Sequence, residues 1–218
     1  FFHHLFTSDQ AAQKLITELG LADKLFFTRP KTSIFYKNTI DQFDSPFSLF
    51  TFPHLNFPEK IRTGLATLHL KTTRNWKPFE NITAFEWLKK YYGEKTFEIL
   101  WKPLLLAKFG DQANKISMSW IWARVKKRSS RLGYLEGGFQ VLVSKLVTKI
   151  ESQGGKFLLN HDLKNLNDIY YYSNFDQVIV TASTSVFLKL VPQLPVSSKT
   201  RLQKLKMFGA LNLILILK

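Results

Sequence analysis

The residues best suited to ligand chemistry are two adjacent glycines, Gly137 and Gly138, which directly precede a segment with helical periodicity. In that segment, apolar and lysine side chains recur at spacings of three and four residues, at Val141, Leu142, Lys145, Leu146, Lys149 and Ile150. Because glycine has no side chain, the backbone at such a turn can approach another group closely. The pattern predicts a glycine turn that opens a helix.

The elements after this turn are predicted from a second glycine pair and two apolar runs. Gly154 and Gly155 mark the end of the helix, where a left-handed residue is needed. Residues 156–159 then form a predicted short strand, and residues 177–181, with the sequence QVIVT, form a predicted buried strand. The small residues Ala182 and Ser183 follow it.

This arrangement resembles the flavin adenine dinucleotide (FAD) dependent oxidoreductases of the amine oxidase and protoporphyrinogen oxidase-like superfamily. In that family a Tyr-x-x-Gly-Gly segment opens a helix, an apolar residue after the next strand lies beside the adenine, and a later strand ends in Thr-Ala or Ser-Ala near the cofactor. The matching positions here are Tyr134, Gly137, Gly138, Leu163, Thr181 and Ala182. The resemblance implies FAD as the cofactor and these positions as cofactor-binding.

A histidine pair near the start of the chain extends the resemblance. The segment FFHHLFTSD is similar to one that passes close to the flavin in certain bacterial family members, which implies that His3 or His4 lines the flavin site. Adjacent residues of an extended segment point to opposite sides, so at most one of them can face a given ligand. The residues alone favour one packed and one exposed histidine.

A second motif resembles the helical cap of the same family, where it precedes the substrate cavity. The matching residues are Trp101, Pro103, Leu104, Leu105, Lys108, Phe109 and Gly110. The helical spacing of the apolar side chains in this block by itself favours a packed core, since core packing requires such a stripe. Pro103 predicts a kink in the helix.

The first 130 residues also contain signals for further local elements. A capping box formed by Thr7 and Gln10 predicts a helix that ends at Gly20, and another formed by Thr83 and Glu86 predicts a helix as far as residue 92. A β-hairpin is predicted within residues 31–52, with its turn at residues 37–38. Helices are predicted over residues 59–71, with Ile61, Leu65, Leu68 and His69 near one face, and over residues 117–127.

The composition and the motifs of the chain exclude several kinds of catalytic and metal site. The 218 residues include no cysteine, which excludes disulfides, thiolate metal sites and a catalytic thiol. The five histidines include only one adjacent pair, and neither a metal motif nor a nucleophile elbow occurs. His54 and His69 have no acid nearby in sequence at ligand spacing, so structural or exposed roles are expected. A flavoenzyme is compatible with this, because its cofactor carries the hydride chemistry.

The formal net charge is +15, which raises the alternatives of a nucleic acid or an anionic surface as partner. Lysines are scattered through every segment, however, and the only dense cluster consists of Arg124, Lys126, Lys127, Arg128 and Arg131. A solvated helix end explains this cluster about as well as a binding patch. We expect no nucleic-acid partner, and a non-catalytic or anionic-surface binding module is the alternative function.

Both ends of the chain are apolar, which predicts a fragment of a longer protein. No Gly-x-Gly-x-x-Gly motif occurs, so this chain alone is expected to bind FAD poorly, whereas the intact protein should bind it. No apolar run approaches the ~18 residues that a membrane-spanning helix needs. A cytoplasmic location is expected, with peripheral membrane contact left open.

The sequence therefore predicts an α/β protein, namely a partial FAD-binding, Rossmann-like domain with an α+β substrate-binding domain and helical cap. Residues 1–132 form the predicted substrate-binding domain and cap, residues 133–192 part of the FAD-binding domain, and residues 193–218 a linker and the start of a returning strand. The function implied by the resemblance is hydride transfer from an apolar or amine-type small molecule to the flavin. The reaction is not fixed by the fold alone.

Overall fold

The computed structural model describes residues 4–167, 175–205 and 209, so His3 lies outside the described part. The chain divides into two compact units, Phe2–Lys149 and Ile150–Lys218. Both helices and strands occur, which confirms the mixed class predicted from the sequence. Among the described residues, every strand pairing is antiparallel.

A three-stranded sheet joins the two ends of the first unit. Strands β1 (Leu5–Phe6) and β2 (Leu25–Thr28) flank β5 (Leu132–Leu135), with Leu5 opposite Gly133 and Leu25 opposite Leu135. A Cβ atom on Gly133 would lie 2.8 Å from the Phe27 ring, so the sheet leaves no room for a side chain there. Ile16, Leu21 and Leu135 form the small core behind this sheet.

Helix α1 (Gln10–Glu18) begins later than the sequence predicts. The capping box of Thr7 and Gln10 is wrong, because the Thr7 amide donates to Ser129 Oγ at 3.2 Å and the helix starts after Asp9. The Asp9 carboxylate instead accepts from the Phe6 amide at 2.8 Å. The helix ends before Gly20, which has a φ of +70°, as predicted.

The predicted hairpin is confirmed as β3 (Ser33–Tyr36) and β4 (Thr39–Gln42). Its two-residue turn, Lys37 and Asn38, has φ values of 49° and 63°. Left-handed conformation at both central residues is what a two-residue hairpin needs to match the twist of its strands.

Helices α2 (Pro46–Thr51) and α3 (Phe57–Thr72) follow the hairpin, each after a capping box. The prediction of a helix over residues 59–71 is confirmed. The residues of this helix that are buried in the core are not those of the apolar face noted in the sequence. Thr63, Ala66 and Leu70 are buried, whereas Leu65 is 62% exposed and its apolar neighbours Ile61 and Leu68 are exposed too.

The largest core forms around α4 (Ala84–Tyr92), whose predicted Thr83–Glu86 capping box and stop at Gly93 are confirmed. A short helix α5 (Glu94–Thr96), a π-helical turn (Phe97–Trp101) and α6 (Lys102–Phe109) follow without a break. The regular α-helical pattern is therefore interrupted by the π-helical turn, which ends just before Pro103, the residue at which the sequence predicts a kink. Helix α7 (Met118–Lys127), whose N-cap is Ser117, packs on the same core. The buried residues are Ala66, Leu70, Phe79, Ala84, Trp87, Leu88, Tyr92, Phe97, Leu105, Ala113, Met118 and Ile121.

Helix α8 (Gln140–Ser152) crosses the boundary between the two units and ends as predicted. Gly154 has a φ of +88°, and the Gly155 amide donates to the Ile150 carbonyl at 2.9 Å. In the second unit, two further helices, Thr184–Leu190 and Val196–Gln203, are described. The Leu166 amide donates to the Leu190 carbonyl at 2.8 Å, which ties the first of them to residues 161–167.

Three predicted elements of the second unit are corrected by the structure. Residues 156–159 and 177–181 are not strands, because no described segment forms a ladder with either, and Leu158 and Ile179 are 76% and 85% exposed. Apolar character alone does not make a strand without a hydrogen-bonded neighbour. The linker predicted at the start of residues 193–218 already becomes helical, because the helix Val196–Gln203 lies within this range. Most of the strand predicted beyond it lies outside the described residues.

Candidate functional site

The glycine turn precedes helix α8, as the sequence predicts, and the structure shows that it follows strand β5. Gly137 and Gly138 have φ values of +81° and +79°, a conformation that L-residues with side chains rarely adopt. The turn is anchored on both sides, since Leu135 is buried before it and Phe139 and Val141 pack on the same core after it. A fixed scaffold therefore holds an exposed backbone turn.

The two glycines differ in the space around them. A Cβ atom on Gly137 would lie 2.9 Å from Val141 Cγ2, whereas a Cβ atom on Gly138 would meet nothing within 4 Å. Gly137 is thus required by both packing and conformation. At Gly138 the backbone faces open space, which fits the close approach of a ligand that the family resemblance implies.

One predicted histidine lies near this turn. The His4 ring centroid is 6.5 Å from that of Tyr134 on β5 and 5.3 Å from that of Phe6. His4 is exposed, so its ring edge stays accessible. The sheet register therefore brings His4 and Tyr134 together, three residues before the glycine turn.

Three of the remaining predicted cofactor residues belong to the second unit. Leu163 is half-buried in an irregular segment, and Thr181 and Ala182 are exposed just before the N-cap of the helix Thr184–Leu190. Their part in a common site with Gly137 and Gly138 stays a prediction.

The sequence reasoning missed an apolar groove between helices α3 and α4, with a volume of about 660 Å³. One wall carries Phe57, Ile61 and Leu65, spaced four residues apart along α3. The other wall carries Trp87 and Tyr91 at the same spacing along α4, with their rings stacked 4.4 Å apart. Reading the two helices together would have found it, because side chains four residues apart share a helical face.

The groove has few free polar groups. Arg62 lines the groove, but its guanidinium already donates hydrogen bonds to the Tyr91 and Lys90 carbonyls at 3.1 and 2.6 Å. His69 stacks on Trp87 with ring centroids 6.1 Å apart, which extends the aromatic surface of Trp87 and Tyr91. The Lys90 ammonium lies 5.5 Å from the Tyr91 centroid. The groove therefore presents the exposed part of the Tyr91 ring, backed by the buried Trp87, to apolar groups and to cations.

His54 has a partner that sequence spacing could not reveal. Its Nε2 atom lies 3.1 Å from Asp41 Oδ2 and 3.0 Å from Thr39 Oγ1, and Thr39 Oγ1 donates to the same carboxylate at 2.6 Å. A proton relay would need the two ring nitrogens to face different partners. Here Nε2 faces both Asp41 and Thr39, so these hydrogen bonds tie the hairpin to the α2–α3 loop.

The predicted cap motif is confirmed as helical, and its aromatic stripe is mostly core. Phe97, Leu100 and Leu105 are buried, while Leu104 is exposed. Trp101 lies in the π-helical turn, and its indole N–H is buried without a hydrogen-bond acceptor among the described residues.

Within the same described part, no group of three or more histidine and acidic side chains could hold a metal ion, and no helix is both long and apolar enough to cross a membrane.

Comparison with known proteins gives a family match over the whole chain. The family model of the flavin containing amine oxidoreductases matches residues 1–218. The chain is also similar to the crystal structure of a "Putative protoporphyrinogen oxidase" from Exiguobacterium sp. 255-15, with a TM-score of 0.60 and 16% sequence identity. That match covers 91% of this chain and 51% of the other, so the chain spans about half of that protein's length. No curated protein matches it.

Proposed function

Because the chain belongs to the family of flavin containing amine oxidoreductases, we propose that it forms part of an FAD-dependent oxidoreductase. The family match over all 218 residues carries this proposal, and the likeness to the Exiguobacterium structure supports its fold. When bound, FAD supplies the acceptor for a hydride taken from the substrate. The residues of this chain bind and orient the two molecules.

We assign cofactor binding to two sets of residues. The open backbone at Gly137 and Gly138, with His4 next to Tyr134, supports contact with the cofactor from the first unit. His3, Leu163, Thr181 and Ala182 complete the proposed set on the family pattern.

For the substrate, the proposal is an apolar or amine-type small molecule whose apolar part binds in the groove between α3 and α4. The Tyr91 ring, which is 43% exposed and stacks on the buried Trp87 ring, offers a contact to an alkyl or aromatic group, and such a ring also attracts an ammonium group. The Lys90 ammonium near Tyr91 is an internal example of that attraction.

The test is to purify the protein from its complete reading frame and record its visible absorption. A flavin spectrum that disappears on anaerobic addition of an amine substrate is the expected result. A folded but colourless protein that takes up no added FAD would overturn the proposal. A yellow protein whose spectrum resists every amine and apolar substrate would retain the cofactor assignment and overturn the substrate class.

A further inference from the structure

The C-terminal ends of helices α3 and α7 meet at three cationic side chains, Lys71, Lys126 and Arg128, which we call the three-cation cluster. Lys126 Nζ donates to the Lys71 carbonyl at 2.5 Å, and Lys71 Nζ donates to the Arg128 carbonyl at 2.6 Å. The Arg128 guanidinium reaches Thr32 Oγ1 at 3.4 Å. Each helix thus receives a lysine from the other at its C-terminal end.

The negative ends of the two helices offset only part of this charge. A helix C-terminus carries about half a negative elementary charge, so two of them supply roughly one against three positive charges. Their carbonyl groups also have other donors, since Trp122 Nε1 donates to the Thr73 carbonyl at 3.1 Å and Thr73 Oγ1 to the His69 carbonyl at 2.7 Å. The cations therefore keep N–H donors that these helix ends do not use.

No carboxylate of the described residues forms an ion pair with the three-cation cluster. The acid nearest along its hydrogen-bond network is Asp44, which accepts from the Thr32 amide at 3.3 Å. Hydrogen bonding, chiefly from Gln42, holds the Asp44 pKa below its usual value, and the cation that acts on it is Arg29. The Asp44 carboxylate therefore receives its hydrogen bonds and its nearby positive charge from residues outside the three-cation cluster.

The pKa of Lys71 is lowered in this environment. Burial lowers its pKa first, and the positive charges of Arg128 and Lys126 lower it further. A bound anion would remove that repulsion, and the unused N–H donors point to a ligand with several acceptor oxygens.

We propose that the three-cation cluster binds a phosphate group. A phosphate carries close to two negative charges and three acceptor oxygens, which suits cations that come from two helix ends better than a single carboxylate does. The group could belong to a soluble phosphate ligand or to a lipid headgroup, because the chemistry is the same. The proposal does not depend on the flavin chemistry proposed above.

The test is calorimetric titration of the full chain with inorganic phosphate at low salt, using charge-matched variants. Lys126→Gln and Arg128→Gln should each weaken binding about tenfold, the value of a charge-assisted hydrogen bond. Lys89→Gln is the control, because it removes the same charge from an exposed lysine that is paired with Glu94. It should change binding less than about twofold, since distant surface charges are screened. Equal weakening by all three variants, or no saturable binding of phosphate by the parent chain, would overturn the proposal.

Two further measurements keep the proposal testable if a variant fails to fold. Lys126→Arg retains the charge and should keep phosphate binding, and phosphate should raise the Lys71 pKa measured by NMR. Succinate binding as tightly as phosphate would overturn the assignment to phosphate. Tighter binding to phosphatidic acid vesicles than to free phosphate would identify a lipid headgroup, and the reverse a soluble ligand.

Discussion

The hydroxyl oxygen atoms of Thr63 on α3 and Thr96 on α5 lie 3.2 Å apart, and both residues are buried. This pair joins helices α3 and α5 through their side chains. Thr63 lies on the packed face of α3, whereas Leu65 lies on its open face. The hydroxyl pair therefore helps to decide which side of α3 faces the core.

We expect Thr63→Val to lower the free energy of unfolding by about 1–3 kcal/mol, because it leaves the Thr96 hydroxyl buried without this partner. The double variant Thr63→Val/Thr96→Val should lose less than the sum of the two single variants, since both polar groups are then replaced by apolar ones. Urea denaturation of the four proteins measures the coupling. Strict additivity would show that the pair contributes no mutual stabilisation.

A second prediction concerns Tyr92, whose hydroxyl lies 2.9 Å from Thr67 Oγ1. Burial raises the pKa of Tyr92 from 10.0 to about 12. Because the folded state holds this proton more tightly than the unfolded state, stability should fall as pH rises from about 10 to 12, by up to about 2–3 kcal/mol. Below pH 10 this group should cause no pH dependence.

The matched variant for this prediction is Tyr92→Phe, which removes the ionising group and keeps the ring. Its unfolding free energy should decline less than that of the parent chain between pH 10 and 12. Identical alkaline profiles for the two proteins would mean that Tyr92 titrates at its ordinary pKa.

Local signals predicted the first unit well. The hairpin turn at Lys37 and Asn38, the capping box of Thr83 and the stop at Gly93 each depend on a few adjacent residues. The same holds for the glycine turn, because the conformation of Gly137 and Gly138 is set by their own backbone. Such features follow from sequence because no distant residue is needed to form them.

Non-local features were predicted less well. The strands expected at residues 156–159 and 177–181 needed hydrogen-bonded neighbours, which no described segment supplies. The contact between His54 and Asp41 joins two elements and has no sequence signature. The groove arises only when the apolar face of α3 meets Trp87 on α4. In each case the outcome depends on tertiary contacts between separate segments.

The cofactor assignment makes a prediction with a closely matched control. Gly138 and Gly20 have φ values of +79° and +70°, and a Cβ atom on either would meet nothing within 4 Å. Alanine at either position should therefore cost about 1–2 kcal/mol for the same backbone reason. Only Gly138→Ala should also lower the flavin content of the complete protein, because only Gly138 belongs to the proposed cofactor turn. Flavin absorbance per mole of folded protein measures this effect, and equal flavin loss in both variants would contradict it.

The groove makes the last prediction, through two leucines of the same helix. Leu70 is fully buried, and Leu70→Ala should lower the free energy of unfolding by about 2–5 kcal/mol. Leu65 lines the groove and is largely exposed, so Leu65→Ala should change the free energy of unfolding by less than about 1 kcal/mol. If the groove binds an apolar amine, Leu65→Ala should weaken that binding severalfold, because the ligand loses apolar contact area. Fluorescence of Trp87 reports the binding, with Trp87→Phe to identify its signal among the five tryptophans. Unchanged affinity in Leu65→Ala would place the amine elsewhere on the protein.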